Sequence, residues 1–256
     1  MIVKSRRHLL PVCEIWFSCP EKFNASNYAL CSFFLNNPYI PKNNEYVLSK
    51  REAMTLETDL ELSDVDLLAK CESNVRNEIR RAKKDGVKCQ MFMSPELLGK
   101  PAVVKHFCDC YDEMHEKKGM PKVSVLNHLN SLIIAGVLQI SVACINNVIV
   151  AYHVYLVGDR IARLLYSVSE FRSFNSSAER NAIGRANRLL HYEDMLWLKN
   201  NGYYLYDWGG FATDSRLDSI NSFKKGFGGE IRSRFHFVIT THRVIQLIYK
   251  VKHRFQ

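Results

Sequence analysis

Between Asp64 and Lys84, apolar residues return at helical spacing: Leu67, Leu68, Cys71, Val75 and Ile79 fall on one face. Ser63 stands at the N-cap position and Gly86 at the stop, so the spacing predicts one helix over 64–84. Val87–Met93 then reads as a strand, with helical patterns at about Pro95–Lys117 and Ser124–Ala135. The clearest β signal follows. Leu138–Ile145, Val148–Val157 and Arg160–Val168 are three apolar runs separated by Asn146-Asn147 and Gly158-Asp159, the short polar or glycine loops that close hairpins. An amphipathic helix is expected over Ser177–Asn200, then a strand at Tyr203–Trp208, a short helix at Ser215–Lys225, a strand at Ile231–Ile239 and a helix from Thr241 to Phe255. Residues 1–45 are broken by Pro11, Pro20, Pro38 and Pro41. Within them Val12–Phe17 reads as a strand and Tyr28–Leu35 as a strand or a short helix. Hairpins cannot be parallel, so the order predicts an α/β (α+β) chain with a mixed, largely antiparallel central sheet flanked by helices. The expected organisation is an N-terminal elaboration over 1–60 packed on a core domain over 61–240, with a C-terminal amphipathic basic helix over 241–256.

Composition changes this picture in one respect. Apolar residues make up 47% of the 256 and charged residues 24%, ordinary for a globular chain, but the formal net charge is +9. That excess suits nucleic acid, an anionic membrane surface or a phosphate-rich ligand. No apolar run reaches the roughly 18–20 residues that span a bilayer. Pro11 and Glu14 interrupt any signal-like stretch after Lys4, Arg6 and Arg7, so a cytoplasmic protein is expected. The eight cysteines are scattered, and Cys108 and Cys110 point to different faces of a helix. They read as reduced, small apolar residues, and no metal site is expected.

The candidate chemistry gathers late in the chain. Tyr206-Asp207-Trp208-Gly209-Gly210 ends a short strand in an acid and two glycines. Phe223-Lys224-Lys225-Gly226-Phe227-Gly228-Gly229-Glu230 sets paired lysines between phenylalanines ahead of a second glycine pair. Lys224 is the best partner for an oxyanion or a phosphate, and Lys225 stands beside it as a second cation or as a solvated surface charge. Asp207 is a base, an acceptor-orienting group or the cap of the following turn. His191 lies inside the amphipathic helix, as a buried hydrogen-bonded residue or as a base, and Trp208 joins it and Lys225 as a substrate-side candidate. Between strand and helix, Glu170-Phe171-Arg172-Ser173-Phe174-Asn175-Ser176-Ser177 offers hydroxyls, amides and an arginine near a helix N-terminus, which suits an anion. Ser176 or Ser177 as an ordinary N-cap explains the hydroxyls as well. Arg180, Arg185 and Arg188 extend the positive potential along the helix. The basic run Arg76, Arg80, Arg81, Lys83, Lys84 alternates with Glu72, Glu78 and Asp85 and reads as a salt-bridged surface, not as a DNA-binding motif.

The order of elements resembles the GNAT acyltransferase fold. The Asp207-Trp208-Gly209-Gly210 and Phe223–Gly229 segments resemble the closing motifs of the Fem-type peptidoglycan-bridge aminoacyltransferases and of their single-module relatives, which are often associated with envelope polysaccharide synthesis. Gly184-Arg185-Ala186-Asn187-Arg188-Leu189-Leu190-His191 fits the single-module group better, and Val75–Lys84 ahead of Gly86-Val87 is similar to that group's early helix. The resemblance covers about Leu60 to Ile239. It departs from the bridge enzymes in having length for one module and a partial extension, and from acetyl-CoA enzymes in showing no Q/R-x-x-G-x-G/A loop.

The resemblance implies a charge-stabilising Lys224 beside Phe223, with Asp207 and Glu170 handling the amine. It places the loop with Arg172, Ser173 and Ser176, and Arg185 beyond it, at the donor's phosphates. The implied activity is N-acyl transfer from acyl-CoA or an acyl carrier protein, as co-substrate rather than resident cofactor, to a small or lipid-linked amino sugar of an envelope precursor. Aminoacyl-tRNA is the alternative donor, and a non-catalytic module holding a nucleotide sugar or a partner is the alternative of another class. Val244, Leu247, Ile248, Val251 and Phe255, set against Arg243, Lys250, Lys252 and Arg254, form a helix that either packs on the sheet or touches the inner face of an anionic membrane.

Overall fold

The computed structural model describes residues 1–7, 9–170, 176–211 and 217–252. By their internal contacts these residues form two compact units, one made of the described residues within 1–55, 210–211 and 231–252, the other of those within 56–209 and 217–230.

In the first unit the strands β1 (Ile2–Arg7), β2 (Leu10–Phe17), β3 (Leu30–Leu35), β10 (Glu230–Thr240) and the greater part of β4 (Tyr46–Asp59) lie in the order β1-β2-β3-β10-β4. β1 and β2 are antiparallel, β2 and β3 parallel, β3 and β10 antiparallel. Alternation along β3 sends Cys31, Phe33 and Leu35 inward, where they meet Cys13, Ile15, Phe23, Phe237 and Ile239. The Tyr28–Leu35 alternative is thus decided for strand. The helix α8 (Arg243–Lys252) leaves Val244, Leu247, Ile248 and Val251 between 53% and 68% exposed, so those side chains do not pack on the sheet.

The second unit carries the end of β4 and then β9 (Leu205–Phe211, through Gly209), β8 (Ile161–Ser169), β7 (Val148–Gly158), β6 (Leu138–Ile145) and β5 (Lys88–Met93), in the order β4-β9-β8-β7-β6-β5. β5 through β8 are antiparallel, β6–β7 and β7–β8 as the hairpin signals require. Asn146 and Asn147 both adopt positive φ, the two-residue type I′ geometry. In the next hairpin the positive-φ pair is Asp159 and Arg160, one residue later than the Gly158-Asp159 loop expected. β7 is buried almost throughout because helices cover both faces of the sheet. Tyr152 turns toward α4 (Pro101–Lys117), meeting Phe107 with ring centroids 5.9 Å apart, whereas His153 and Tyr155 turn toward α6 (Ser177–Asn200). The mixed, largely antiparallel sheet flanked by helices is the fold class that the pattern predicts.

Two expected helices are broken in two. The 64–84 helix divides into α1 (Asp64–Lys70) and α2 (Ser73–Lys84), with Cys71 and Glu72 extended. The break lets Glu72 N–H reach the carbonyl of Gly226 at 2.8 Å, so helical periodicity gives way to a tertiary hydrogen bond. The 95–117 helix divides into α3 (Ser94–Leu98) and α4, because Pro101 disfavours the helical conformation at Lys100, whose φ is −128° and ψ 56°. α5 (Leu126–Ile134) and α7 (Asp218–Lys225) complete the unit.

Candidate active site

The chain passes from β8 through α6 to β9, a crossover that makes these two strands parallel neighbours. They pair over Ile161–Arg163 and Leu205–Asp207. Beyond that register a cleft of about 270 Å³ opens, with Leu164, Ser167 and Ser169 on the β8 side and Trp208 on the β9 side. Asn187 and His191 of α6 and Phe223 and Lys224 of α7 line it as well, with Met114 of α4 and Lys118 just after that helix. A cleft at the carboxyl ends of adjacent parallel strands is a common ligand position in α/β sheets.

The two glycine-rich motifs build this place. At Gly209, φ is +71° and β9 runs so close to β8 that an added Cβ would stand 2.6 Å from the Leu164 carbonyl oxygen. At Gly229, φ is +114° and a Cβ would stand 2.5 Å from the carbonyl oxygen of Glu57. With Glu72 bonded to Gly226, the turn after α7 is seated against neighbouring backbone, and α7 is held with Lys224 at the cleft.

Asp207 is 1% exposed and lies in the strand below the cleft wall. Its Oδ2 accepts from Arg163 Nη1 at 2.5 Å, and its Oδ1 accepts from Gly209 N at 2.8 Å, closing the turn that the Asp-x-Gly spacing encodes. The carboxylate therefore fixes the β8–β9 contact and supplies negative charge behind the cleft. Lys224 responds to it. Burial pushes the ammonium pKa down to about 8, Asp207 opposes that shift and Arg163 adds to it. Asp207→Asn keeps the acceptor for Gly209 N but leaves the Arg163 guanidinium without its carboxylate. The expected loss is about 3 kcal/mol of stability, read by chemical denaturation, together with a Lys224 pKa below about 8, read by the pH dependence of anion binding.

His191 and Trp208, both buried, form the floor. The His191 ring lies 4.6 Å from Trp208, 5.5 Å from Phe227 and 5.6 Å from Phe223 by centroids, and Trp208 Nε1 donates to Thr58 Oγ1 at 2.9 Å. The cation over the Phe223 face is Arg188, 5.0 Å from its centroid. Burial first, then the charges of His153, Lys224 and Arg188, hold the His191 pKa well below the usual histidine value, so the ring is neutral.

Of the other expected site residues, the four that are described do not line the cleft. Lys225 is exposed, on the residue after Lys224. Glu170 follows β8 and lies beside Cys110 of α4, whose thiol pKa it helps to raise; the cleft wall on that strand is Ser167 and Ser169. Ser176 is the N-cap of α6, its Oγ accepting from Glu179 N at 3.1 Å. Arg185 points to Asp85, with Nη2 and Oδ2 3.0 Å apart. Arg172 and Ser173 lie outside the described residues. All eight cysteines are free thiols, and burial pushes Cys71 and Cys108 up to about 11 and Cys110 up to about 12, so these three are protonated at neutral pH rather than nucleophilic. Among the described residues no group of three or more His, Cys, Asp or Glu is placed to hold a metal ion.

A set of residues behind the floor carries no role in the sequence pattern: Arg163, Ser141, His153, Tyr155 and Asp194, with Asn187 and Tyr206, which the motifs contain without assigning them one. The signal that marks them is a histidine and a tyrosine spaced two apart inside the otherwise apolar run of β7. Two polar side chains on one face of a fully buried strand require buried partners.

No protein-family model matches the chain, and no curated protein matches it. Solved structures do. FemX superposes with a TM-score of 0.64 at 14% identity, over 97% of this chain and 86% of that one. The C-terminal domain of a protein described as a lysylphosphatidylglycerol synthetase, from Agrobacterium fabrum, gives 0.54 at 11% identity over 98% and 83%. L-PGS from Bacillus licheniformis gives 0.51 at 12% identity over 88% and 73%. The chain thus has a GNAT-like fold similar to that of FemX and of the lysylphosphatidylglycerol synthetase domain.

Proposed function

We propose that the chain is an acyltransferase that moves an acyl group from an activated ester or thioester to an amine bound in the cleft between β8 and β9. The observation that carries this reading is Lys224, a partly buried cation on the cleft wall backed by the Asp207–Arg163 pair. Attack of an amine on an acyl carbon puts negative charge on the carbonyl oxygen, and a fixed cation in a poorly hydrated cleft lowers the energy of that state. Phe223 and Leu164 supply apolar walls over the Trp208 floor, and Ser167, Ser169 and Asn187 supply hydrogen-bonding groups to orient an acceptor.

The finer reading takes acyl-CoA or an acyl carrier protein as donor and an amino sugar of an envelope polysaccharide precursor as acceptor. A second reading takes aminoacyl-tRNA as donor; the likeness to FemX and the net charge of +9 favour it. Incubation with radiolabelled acetyl-CoA or with charged tRNA, each with glucosamine as the amine, separates the two. Label transferred from one donor selects it. Transfer from neither, with a sugar nucleotide raising Tm, would favour a binding module instead.

The exposed face of α8 supports peripheral contact with an anionic membrane. Val244, Leu247, Ile248 and Val251 are exposed on one stripe, Arg243 and Lys250 are exposed beside it, and residues 241–256 contain no acid. Among the described residues no helix is long and apolar enough to cross a membrane. The chain is expected to sediment with phosphatidylglycerol vesicles and not with phosphatidylcholine vesicles, and Leu247→Glu with Ile248→Glu should abolish that binding at unchanged Tm.

A further inference from the structure

Behind the cleft floor, seven buried or half-buried polar side chains from α6, β6, β7 and β9 form one connected hydrogen-bond network. His191 Nδ1 lies 2.7 Å from Tyr206 Oη, Tyr206 Oη 2.7 Å from Tyr155 Oη, and Tyr155 Oη 2.6 Å from Asp194 Oδ2. Asp194, 3% exposed, also accepts from Ser141 Oγ at 2.8 Å and meets His153 Nδ1 at 2.7 Å. His153 Nε2 lies 3.0 Å from Asn187 Oδ1, back at the cleft. A buried network of this size does no packing that apolar side chains would not do better.

The carboxylate gives the chain a direction. Asp194 can only accept, so the Tyr155 hydroxyl donates to it and its oxygen is left to accept from Tyr206. The Tyr206 oxygen in turn accepts from His191, and the proton of the neutral imidazole must sit on Nδ1. Nε2 then carries the lone pair. It has no hydrogen-bond partner among the described residues, and the ring it belongs to lines the cleft.

We propose that His191 is the proton acceptor for the attacking amine and that Tyr206, Tyr155 and Asp194 are the relay that takes the proton inward; this rests on the acyl-transfer reading. The amine lone pair forms the new N–C bond, and the carbonyl electron pair moves onto oxygen beside Lys224. The amine proton goes to His191 Nε2. The Nδ1 proton passes to Tyr206, the Tyr206 proton to Tyr155 and the Tyr155 proton to Asp194, which becomes a carboxylic acid while His191 stays neutral. When the bond from the acyl carbon to the thiolate or alkoxide breaks, the relay runs in reverse and Nε2 protonates the leaving group. The environment requires such a sink. His153 of β7 stacks on the His191 ring at 3.8 Å, and its charge with those of Lys224 of α7 and Arg188 of α6 opposes a lasting positive charge on it, whereas Tyr206 of β9 offers the route to Asp194. Both tyrosines hold their protons firmly, since burial and Asp194 raise their pKa values well above 10.

Two readouts test this. The first is independent of turnover: ¹⁵N imidazole NMR should show His191 as the Nδ1–H tautomer in the wild type, and Tyr206→Phe should remove that preference. The second is acyl transfer to glucosamine from whichever donor is active. His191→Gln should lower kcat about 100-fold or more, and Tyr206→Phe should lower kcat about 10-fold at unchanged KM and reduce the solvent isotope effect. An Nε2–H tautomer overturns the proposal. So does full turnover by His191→Gln under conditions where Lys224→Ala is inactive, which leaves the acyl-transfer reading standing. No transfer by the folded wild type from either donor removes the acyl-transfer reading and the catalytic role with it, while the NMR still reports whether the relay is ordered as described.

Discussion

Lys224→Ala is expected to lower kcat/KM for acyl transfer by about 100-fold or more, the scale of losing one preorganised charge-stabilising donor. The loss should fall mainly on kcat, because the charge it meets develops only in the transition state. The pH dependence sharpens the prediction. The stabilising species is the ammonium, and burial has brought its pKa down to about 8 from the 10.5 of an ordinary lysine. Activity should therefore fall as pH rises through about 8. Lys224→Arg, whose guanidinium stays charged, should retain part of the activity and lose that limb.

Folding stability carries the same signature with a definite sign. The folded pKa lies below the unfolded one, so between about pH 8 and 10.5 the unfolded chain binds more protons and the Lys224 contribution to stability rises with pH. Below about pH 8 the full penalty of burying the charge is present. Lys224→Met should remove that rise and increase Tm at pH 7 by a few degrees, trading function for stability.

Gly209→Ala is the second large effect, and it acts on the fold. With φ at +71°, an L-residue there costs about 1–2 kcal/mol before any contact is counted. Its Cβ would also stand 2.6 Å from the Leu164 carbonyl oxygen, a backbone atom that moves only if β8 moves. Separation of β8 from β9 at this point would disturb the Asp207 turn and the Trp208 floor together. A loss of about 3 kcal/mol is expected, a drop of roughly 10 °C in Tm for a chain of this size, with the cleft impaired even below the transition. Gly210→Ala is the control: nothing lies within 4 Å of its added Cβ and its φ is not positive, so its Tm should stay within about 1 °C of wild type.

The elements that the hydrophobic pattern reads well are those whose burial is set by their own period. α6 runs over Ser177–Asn200 as expected, and the β6–β8 meander follows its turn residues to within one position. β1 and β4 have no expected counterpart. β4 is exposed along most of Tyr46–Thr55, and its Lys50, Arg51 and Glu52 break the alternation that marks a half-buried strand. The breaks at Cys71-Glu72 and Lys100 are likewise tertiary or proline effects inside patterns that look continuous.

The site was legible where chemistry and turn geometry share one stretch of sequence: Asp207 with Gly209, and Lys224 ahead of Gly228-Gly229. The Asp194 relay was not, because its members sit on α6, β7 and β9 and acquire meaning only when packing brings them together. Arg163 was missed for the same reason. It is one basic residue in an apolar strand until the parallel register sets it opposite Asp207.

On the proposed function, the cleft between β8 and β9 transfers acyl groups with Lys224 as its charge-stabilising cation. The most direct measurement is kcat/KM for transfer to an amine as a function of pH, wild type beside Lys224→Arg. A limb falling near pH 8 is expected in the wild type and should be absent from the arginine variant. The same limb in both proteins, or equal rates in wild type and Lys224→Ala, would contradict it.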